Sequence, residues 1–262
     1  MGLNKANVSY NSNHRLWKIV EFHKKPYPNI LLGDSRINNF DTKYIKSLTG
    51  EQYYNFAYNG CTLDEIIDTF WLAANYSKIK NVYIGINFNL FNRYNNMNLV
   101  KESVKRLECP ILKYYFNFWI FKVSLNNLLF KFCGLNIYSE KINMSKEDFW
   151  LYHLKEIVPS FYKKYSFPKN NIENLFKIKK YCNDNGINLF FIIPPTHVDS
   201  QIIVREFNLS SSYDRYKRIL KEISPVFDFE LENEMCKNKD NFSDPFHFNR
   251  KIMLELCDKI FK

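Results

Sequence analysis

At 262 residues the chain has room for one α/β domain with an insertion and can bury a sizeable core. Its six cysteines, at positions 61, 109, 133, 182, 236 and 257, include no Cys-x-x-Cys pair, which argues against a zinc ribbon, offers no disulfide framework and leaves them as small core residues. The formal charge of +10, from 37 basic against 27 acidic residues, points to an anionic neighbourhood such as a membrane surface or a charged glycan. The basic residues read as spread along the chain with no recognition module, so nucleic acid is not an expected partner.

Residues 1–27 hold no apolar run long enough to span a membrane and no signal-peptide core, so the chain as written reads as soluble. Met1-Gly2 opens a myristoylation motif, but Ala6 stands where Ser or Thr is preferred, and the motif is set aside. Residues 28–92 read as β-α-β-α-β. The apolar run Ile30-Leu31-Leu32 is a buried parallel strand that stops at Gly33. A helix is expected over 38–48, a turn at Thr49-Gly50 and a second strand over 52–56. Thr62 and Glu65 form a capping box for a second helix, whose residues Leu63, Ile66, Ile67, Phe70 and Trp71 make one buried stripe. The third strand covers 81–86. Strands alternating with helices at this spacing predict a parallel, doubly wound sheet with right-handed crossovers.

Residues 93–168 leave that rhythm and are expected to form a helical insertion within a single domain spanning 1–262. The stretch 111–132 is rich in aromatics, with lysines at 113, 122 and 131. Asn117, Lys122, Asn126 and Asn127 interrupt it too often for a membrane span. It reads either as an ordinary core helix or as a membrane-surface contact suited to an anionic bilayer. His153, inside the insertion, is expected to be structural. The α/β pattern then resumes with a helix from about 170 to 182, stopped near Gly186, and a fourth strand over 187–193 that ends in Pro194-Pro195-Thr196-His197. A helix over 213–223, a short fifth strand over 226–229 and a terminal helix over 249–261 complete the chain. There is no Walker loop and no dinucleotide fingerprint.

The chemistry-bearing residues cluster at strand ends. Ligands of open α/β sheets sit beyond the carboxyl ends of the strands, and Gly33-Asp34-Ser35-Arg36 presents a serine there, in a strand-to-helix turn where the N–H groups of Ser35 and Arg36 lie near a helix start. Asp34 reads equally well as a helix cap. At the far end, Asp244-Pro245-Phe246-His247 sets an acid and a histidine three apart in a loop before the last helix. The histidine can act as base, and the carboxylate can hold its tautomer.

With both ends in view, the sequence resembles the SGNH (GDSL-type) hydrolase superfamily. Gly33-Asp34-Ser35 matches its first block and Asp244-x-x-His247 its last. Gly60 matches the glycine after the second strand. Gly85-Ile86-Asn87 matches the third block in part, with Phe88 where the family carries Asp. The resemblance implies a flavodoxin-like three-layer sandwich with about five parallel strands and a helical insertion. It also implies a Ser35, Asp244, His247 triad and an oxyanion hole from Ser35, Gly60 and Asn87, with Asn89 a rival for the last place. Arg36, Asn59 and Asn89 are candidates for substrate contact, as is His197, for which a supporting or surface role is the alternative, and neither metal nor cofactor is expected. Within the superfamily the chain looks most like cell-envelope O-acyltransferases and D-alanyl-teichoic-acid transfer proteins. That likeness implies transfer of an acyl group, an acetyl above all, to a polysaccharide, with a carbohydrate acceptor and a membrane-bound acyltransferase as donor partner. It places the protein outside the cytoplasm if an anchor precedes residue 1, and in the cytoplasm otherwise. A carbohydrate or lipid esterase with the same triad and a non-catalytic glycan-binding scaffold are the alternatives.

Overall fold

Five short runs form the strands: Asn29–Leu32 (β1), Tyr53–Asn55 (β2), Asn81–Gly85 (β3), Asn188–Ile193 (β4) and Val226–Asp228 (β5). In the computed structural model, which describes residues 14–107, 118–134 and 144–262, they make one all-parallel sheet in the order β2-β1-β3-β4-β5. Ile30 pairs with Tyr54 on one side and Val82 on the other, Ile84 faces Phe191, and Ile192 faces Phe227. β1 is buried along its whole length, as a central strand covered on both faces must be. This is the flavodoxin-like order, and the direction of winding reverses between β1 and β3. The crevice at such a reversal opens where β1 ends, immediately before Ser35.

In chain order the helices are α1 (His14–Lys24), α2 (Ser35–Asn38), α3 (Thr42–Thr49), α4 (Leu63–Tyr76), α5 (Leu99–Leu107), α6 (Phe118–Cys133), α7 (Lys146–Tyr152), α8 (Val158–Tyr162), α9 (Lys169–Asp184), α10 (Val198–Glu206), α11 (Ser210–Ile223), α12 (Glu234–Lys237) and α13 (Arg250–Phe261). Two of them correct the sequence reading. The helix expected over 38–48 is broken, because the Asp41 side chain accepts from the Lys43 and Tyr44 N–H groups and restarts the helix as α3, which ends at Gly50 with φ +74°. The Asn55 side chain holds the break by donating to the Ile37 carbonyl at 2.8 Å. α10 was unanticipated, because its N-cap is a histidine rather than one of the usual small polar residues. The Thr62–Glu65 capping box is present with both of its hydrogen bonds.

Leu31, Tyr53, Tyr83 and Ile192 on one face of the sheet pack with Ile45 of α3 and Ile252, Leu256, Ile260 and Phe261 of α13. Winding outward in both directions from β1 with right-handed crossovers places α4, α9 and α11 on the opposite face, where α4 and α9 pack together and α9 meets α11. The result is three layers.

By its contacts the chain divides into two units, residues 26–97 with 144–262, which contain the sheet, and residues 1–25 with 98–143. The stretch 93–168 is therefore shared: α7 and α8 belong to the sheet unit, and α5 and α6 to the smaller one, in which α1 packs on α5. Residues 111–117 of the aromatic stretch lie outside the described residues.

Candidate active site

The turn after β1 is shaped by glycine. Gly33 has φ +151°, and a Cβ there would stand 2.7 Å from Ile37 Cγ1 and 3.1 Å from the Gly85 carbonyl oxygen. A Cβ on Gly85 would run into the same Ile37 side chain. Two bare backbones at the ends of β1 and β3 thus let Ile37 of α2 sink between them, which fixes where Ser35 emerges. Asp34 is the N-cap of α2 and accepts from the Arg36 N–H at 3.0 Å. The Arg36 N–H is consequently spent inside the turn, as the reading of Asp34 as a helix cap implies. Asp34 also forms a buried ion pair with the Arg36 guanidinium. Burial works against its charge, but the adjacent guanidinium and the hydrogen bonds from Arg36 hold the carboxyl below its usual range.

The loop before α13 is equally constrained. The Ser243 N–H donates to the His247 carbonyl at 2.8 Å, Phe242 and Phe248 form an antiparallel bridge, and Asn249 caps α13. Asp244 Oδ1 accepts from the Phe246 and His247 N–H groups at 2.9 and 3.1 Å, so its other oxygen is aimed along the loop. That oxygen lies 2.7 Å from His247 Nδ1, and His247 Nε2 lies 2.7 Å from Ser35 Oγ. A carboxylate can only accept, so Nδ1 carries the proton and Nε2 is left to accept from the serine hydroxyl. Burial opposes the Asp244 charge, yet the hydrogen bond and charge of His247 bring its carboxyl below the usual range. Ser35 and the Asp244–His247 pair, with a separation of 212 residues between Ser35 and His247, are thereby one hydrogen-bonded chain.

The residues expected to bind an oxyanion sit at the same edge. The Phe56 N–H donates to the Leu31 carbonyl and the Tyr58 N–H to the Gly33 carbonyl, so the loop after β2 runs alongside the serine turn as far as Tyr58, two residues before Gly60, which has φ +61°. Asn87 follows β3, is buried, and donates through Nδ2 to Asp34 Oδ2 at 3.3 Å. The opposite amide orientation would set oxygen against a carboxylate, so this bond assigns it. Asn87 Oδ1 is buried without a hydrogen-bond partner. Asn89, the rival, accepts from the Arg36 guanidinium at 2.9 Å. Phe88, at the position of the family's Asp, is buried among the rings of Tyr162, Tyr165, Tyr213 and Tyr216.

The expected substrate contacts divide. Asn59 is exposed and accepts from Asn38 at 3.1 Å. Arg36 is folded inward on Asp34 and Asn89, and His197 is buried with both ring nitrogens occupied, Nδ1 accepting from the Asp199 N–H and Nε2 facing the Lys237 carbonyl at 3.1 Å. His197 thus has a supporting role: it caps α10 while its backbone N–H donates to the Pro245 carbonyl and so holds the Asp-Pro turn. His153 Nδ1 donates to the Phe149 carbonyl, 2.9 Å away and four residues back in the chain.

Sequence reasoning missed a polar cluster behind this edge. Glu230 is buried and accepts from Thr196 at 2.6 Å and Tyr213 at 2.9 Å, and it shares with Arg36, Asn87, Asn89, Tyr162 and Phe246 the wall of a small cavity of about 10 Å³. Burial raises its carboxyl pKa, against the pull of Lys217 and the two hydroxyl donors. No local pattern marks it, because the cluster is drawn from loops and helices far apart in the chain.

No family model matches the chain, and no curated protein matches it. Solved structures that it resembles include a Streptococcus pneumonia protein named for platelet activating factor, at 11% identity over 95% of this chain and 91% of that one with a TM-score of 0.48. A GDSL-like lipase from Bacteroides thetaiotaomicron aligns at 11% identity over 91% and 89% with a TM-score of 0.43. A family two carbohydrate esterase from Clostridium thermocellum aligns at 9% identity over 90% and 62% with a TM-score of 0.35. At TM-scores below 0.5 these likenesses carry no chemical weight, and the chemistry of the site rests on its own side chains.

Proposed function

We propose that the chain is an SGNH-type serine enzyme that takes an acyl group from an ester through an acyl-Ser35 intermediate. The observation that carries this reading is the unbroken Ser35–His247–Asp244 chain, with 2.7 Å at each link. His247 Nε2 removes the hydroxyl proton as Ser35 Oγ attacks the acyl carbon. Asp244 holds the imidazole and stabilises the imidazolium, which then protonates the leaving alkoxide. The Ser35 and Gly60 N–H groups and the second N–H of Asn87 stabilise the oxyanion, and donors of this kind are each worth about 10²–10³ in rate.

The acceptor separates two readings. The His247 side chain is 32% exposed, so water can reach the base after acylation, and this supports an esterase. Transfer to a sugar hydroxyl of an envelope polysaccharide uses the same acyl-enzyme. It is supported by the sequence resemblance, in particular the Asp244-Pro245-Phe246-His247-Phe248-Asn249 wording. Wild type and Ser35→Ala assayed with p-nitrophenyl acetate, with and without oligosaccharide acceptors, decide between them. Serine-dependent release with unmodified sugar establishes the esterase, and mass-shifted sugar the transferase. No serine-dependent acylation with any ester would overturn both and leave the binding scaffold.

A further inference from the structure

The smaller unit carries most of the charge of the protein. Residues 1–25 and 98–143 contain twelve Lys and Arg against four Asp and Glu, which is +8 of the total +10, while the sheet unit holds twenty-five against twenty-three. The excess of basic over acidic residues thus lies mainly in this unit, where acidic residues are few, although most of the basic residues themselves lie in the sheet unit.

Helix α6 of that unit turns apolar side chains outward. Phe118, Phe121, Leu125, Leu128 and Phe132 recur at intervals of three and four and form one stripe, as core-facing residues do. All of them are exposed, Phe118 at 70%, Phe121 at 60% and Phe132 at 75%, whereas Asn126 on the other side of the helix is buried. The ammonium groups of Lys122 and Lys131 lie 4.8 and 5.7 Å from the ring centres of Phe118 and Phe132, and α6 contains no acidic residue. An outward apolar stripe of this length marks an interaction surface. Among the described residues no helix is long and apolar enough to cross a membrane.

We propose that this unit docks on an anionic bilayer, with the α6 stripe lying in the interface and Lys122 and Lys131 reaching the headgroups. Charge selects the bilayer over a second copy of the chain, because pairing through this face would bring two units of +8 together, whereas an anionic leaflet complements them. The inference is independent of the acyl-transfer reading. The whole chain is expected to pellet with mixed phosphatidylglycerol–phosphatidylcholine vesicles, to bind pure phosphatidylcholine about tenfold more weakly or worse, and to be released as salt rises. Phe118→Ser, Phe121→Ser and Phe132→Ser combined should weaken binding about a hundredfold or more. Lys122→Gln with Lys131→Gln, which leaves the stripe intact, should weaken it about tenfold. Circular dichroism and the melting midpoint of both variants should match wild type. Failure of wild type to bind anionic vesicles at low salt, equal binding to neutral ones, unchanged binding by both variants, or a solution dimer that the Phe variant disperses would each overturn the proposal.

Discussion

Two histidines stand at loops that meet at the same edge of the sheet, His197 after β4 and His247 before α13, and their neighbours give them opposite properties. His247 points one nitrogen at Asp244 and the other at Ser35, with a third of its side chain open to solvent. His197 spends one nitrogen on the Asp199 N–H and the other at the Lys237 carbonyl, and Trp150 and Phe242 close over its ring. A histidine can move protons only through a nitrogen that faces a reactant. His247 has one and His197 does not, although His197 helps to build the site by fastening the Pro245 carbonyl.

Substitutions sharpen this contrast, and the largest effect is expected at the serine and its base. Ser35→Ala and His247→Ala should each lower kcat by about 10⁶ on an activated ester while the far-UV spectrum and melting midpoint stay near wild type. Asp244→Asn should lower kcat by about 10⁴ and leave residual activity, because the ring remains but its tautomer is no longer imposed. Asn87→Ala is expected to cost about 10²–10³ in kcat with a smaller change in KM, as for a donor that binds the oxyanion more strongly than the carbonyl. At the small end, His197→Ala should keep kcat/KM within about threefold while lowering stability by about 2 kcal/mol through the lost α10 cap and ring hydrogen bond. A stable His197→Ala protein without activity would break the contrast and make His197 part of the chemistry.

Acid titration gives a further test within the site. The Asp34 and Asp244 carboxyls lie below their unfolded values, so the stability they contribute is full above the ordinary carboxylate range and is lost as pH falls through their folded values. Glu230 lies above its unfolded value and acts in the opposite sense, costing stability as pH rises through its folded value. Glu230→Gln should therefore flatten the mildly acidic part of a stability–pH curve and leave the steep loss at lower pH in place, which denaturant titrations across pH can measure.

Much was legible in the residue order because it depends on local physics. Strand runs, the Thr62–Glu65 capping box, the α/β alternation and the glycine that ends β1 each report on neighbouring residues. The order also named Ser35, Asp244 and His247 by residue type and spacing, but it could not set them 2.7 Å apart. That took the sheet, which brings β1 to its centre, and the packing of α13 against α3, which delivers the far end of the chain to the first strand. The inward fold of Arg36, the capping role of His197, the buried Glu230 cluster and the outward stripe of α6 were decided only in three dimensions. Whether a polar side chain is spent or available, and whether an apolar one is covered, depends on partners tens to hundreds of residues away, and no local pattern carries that information.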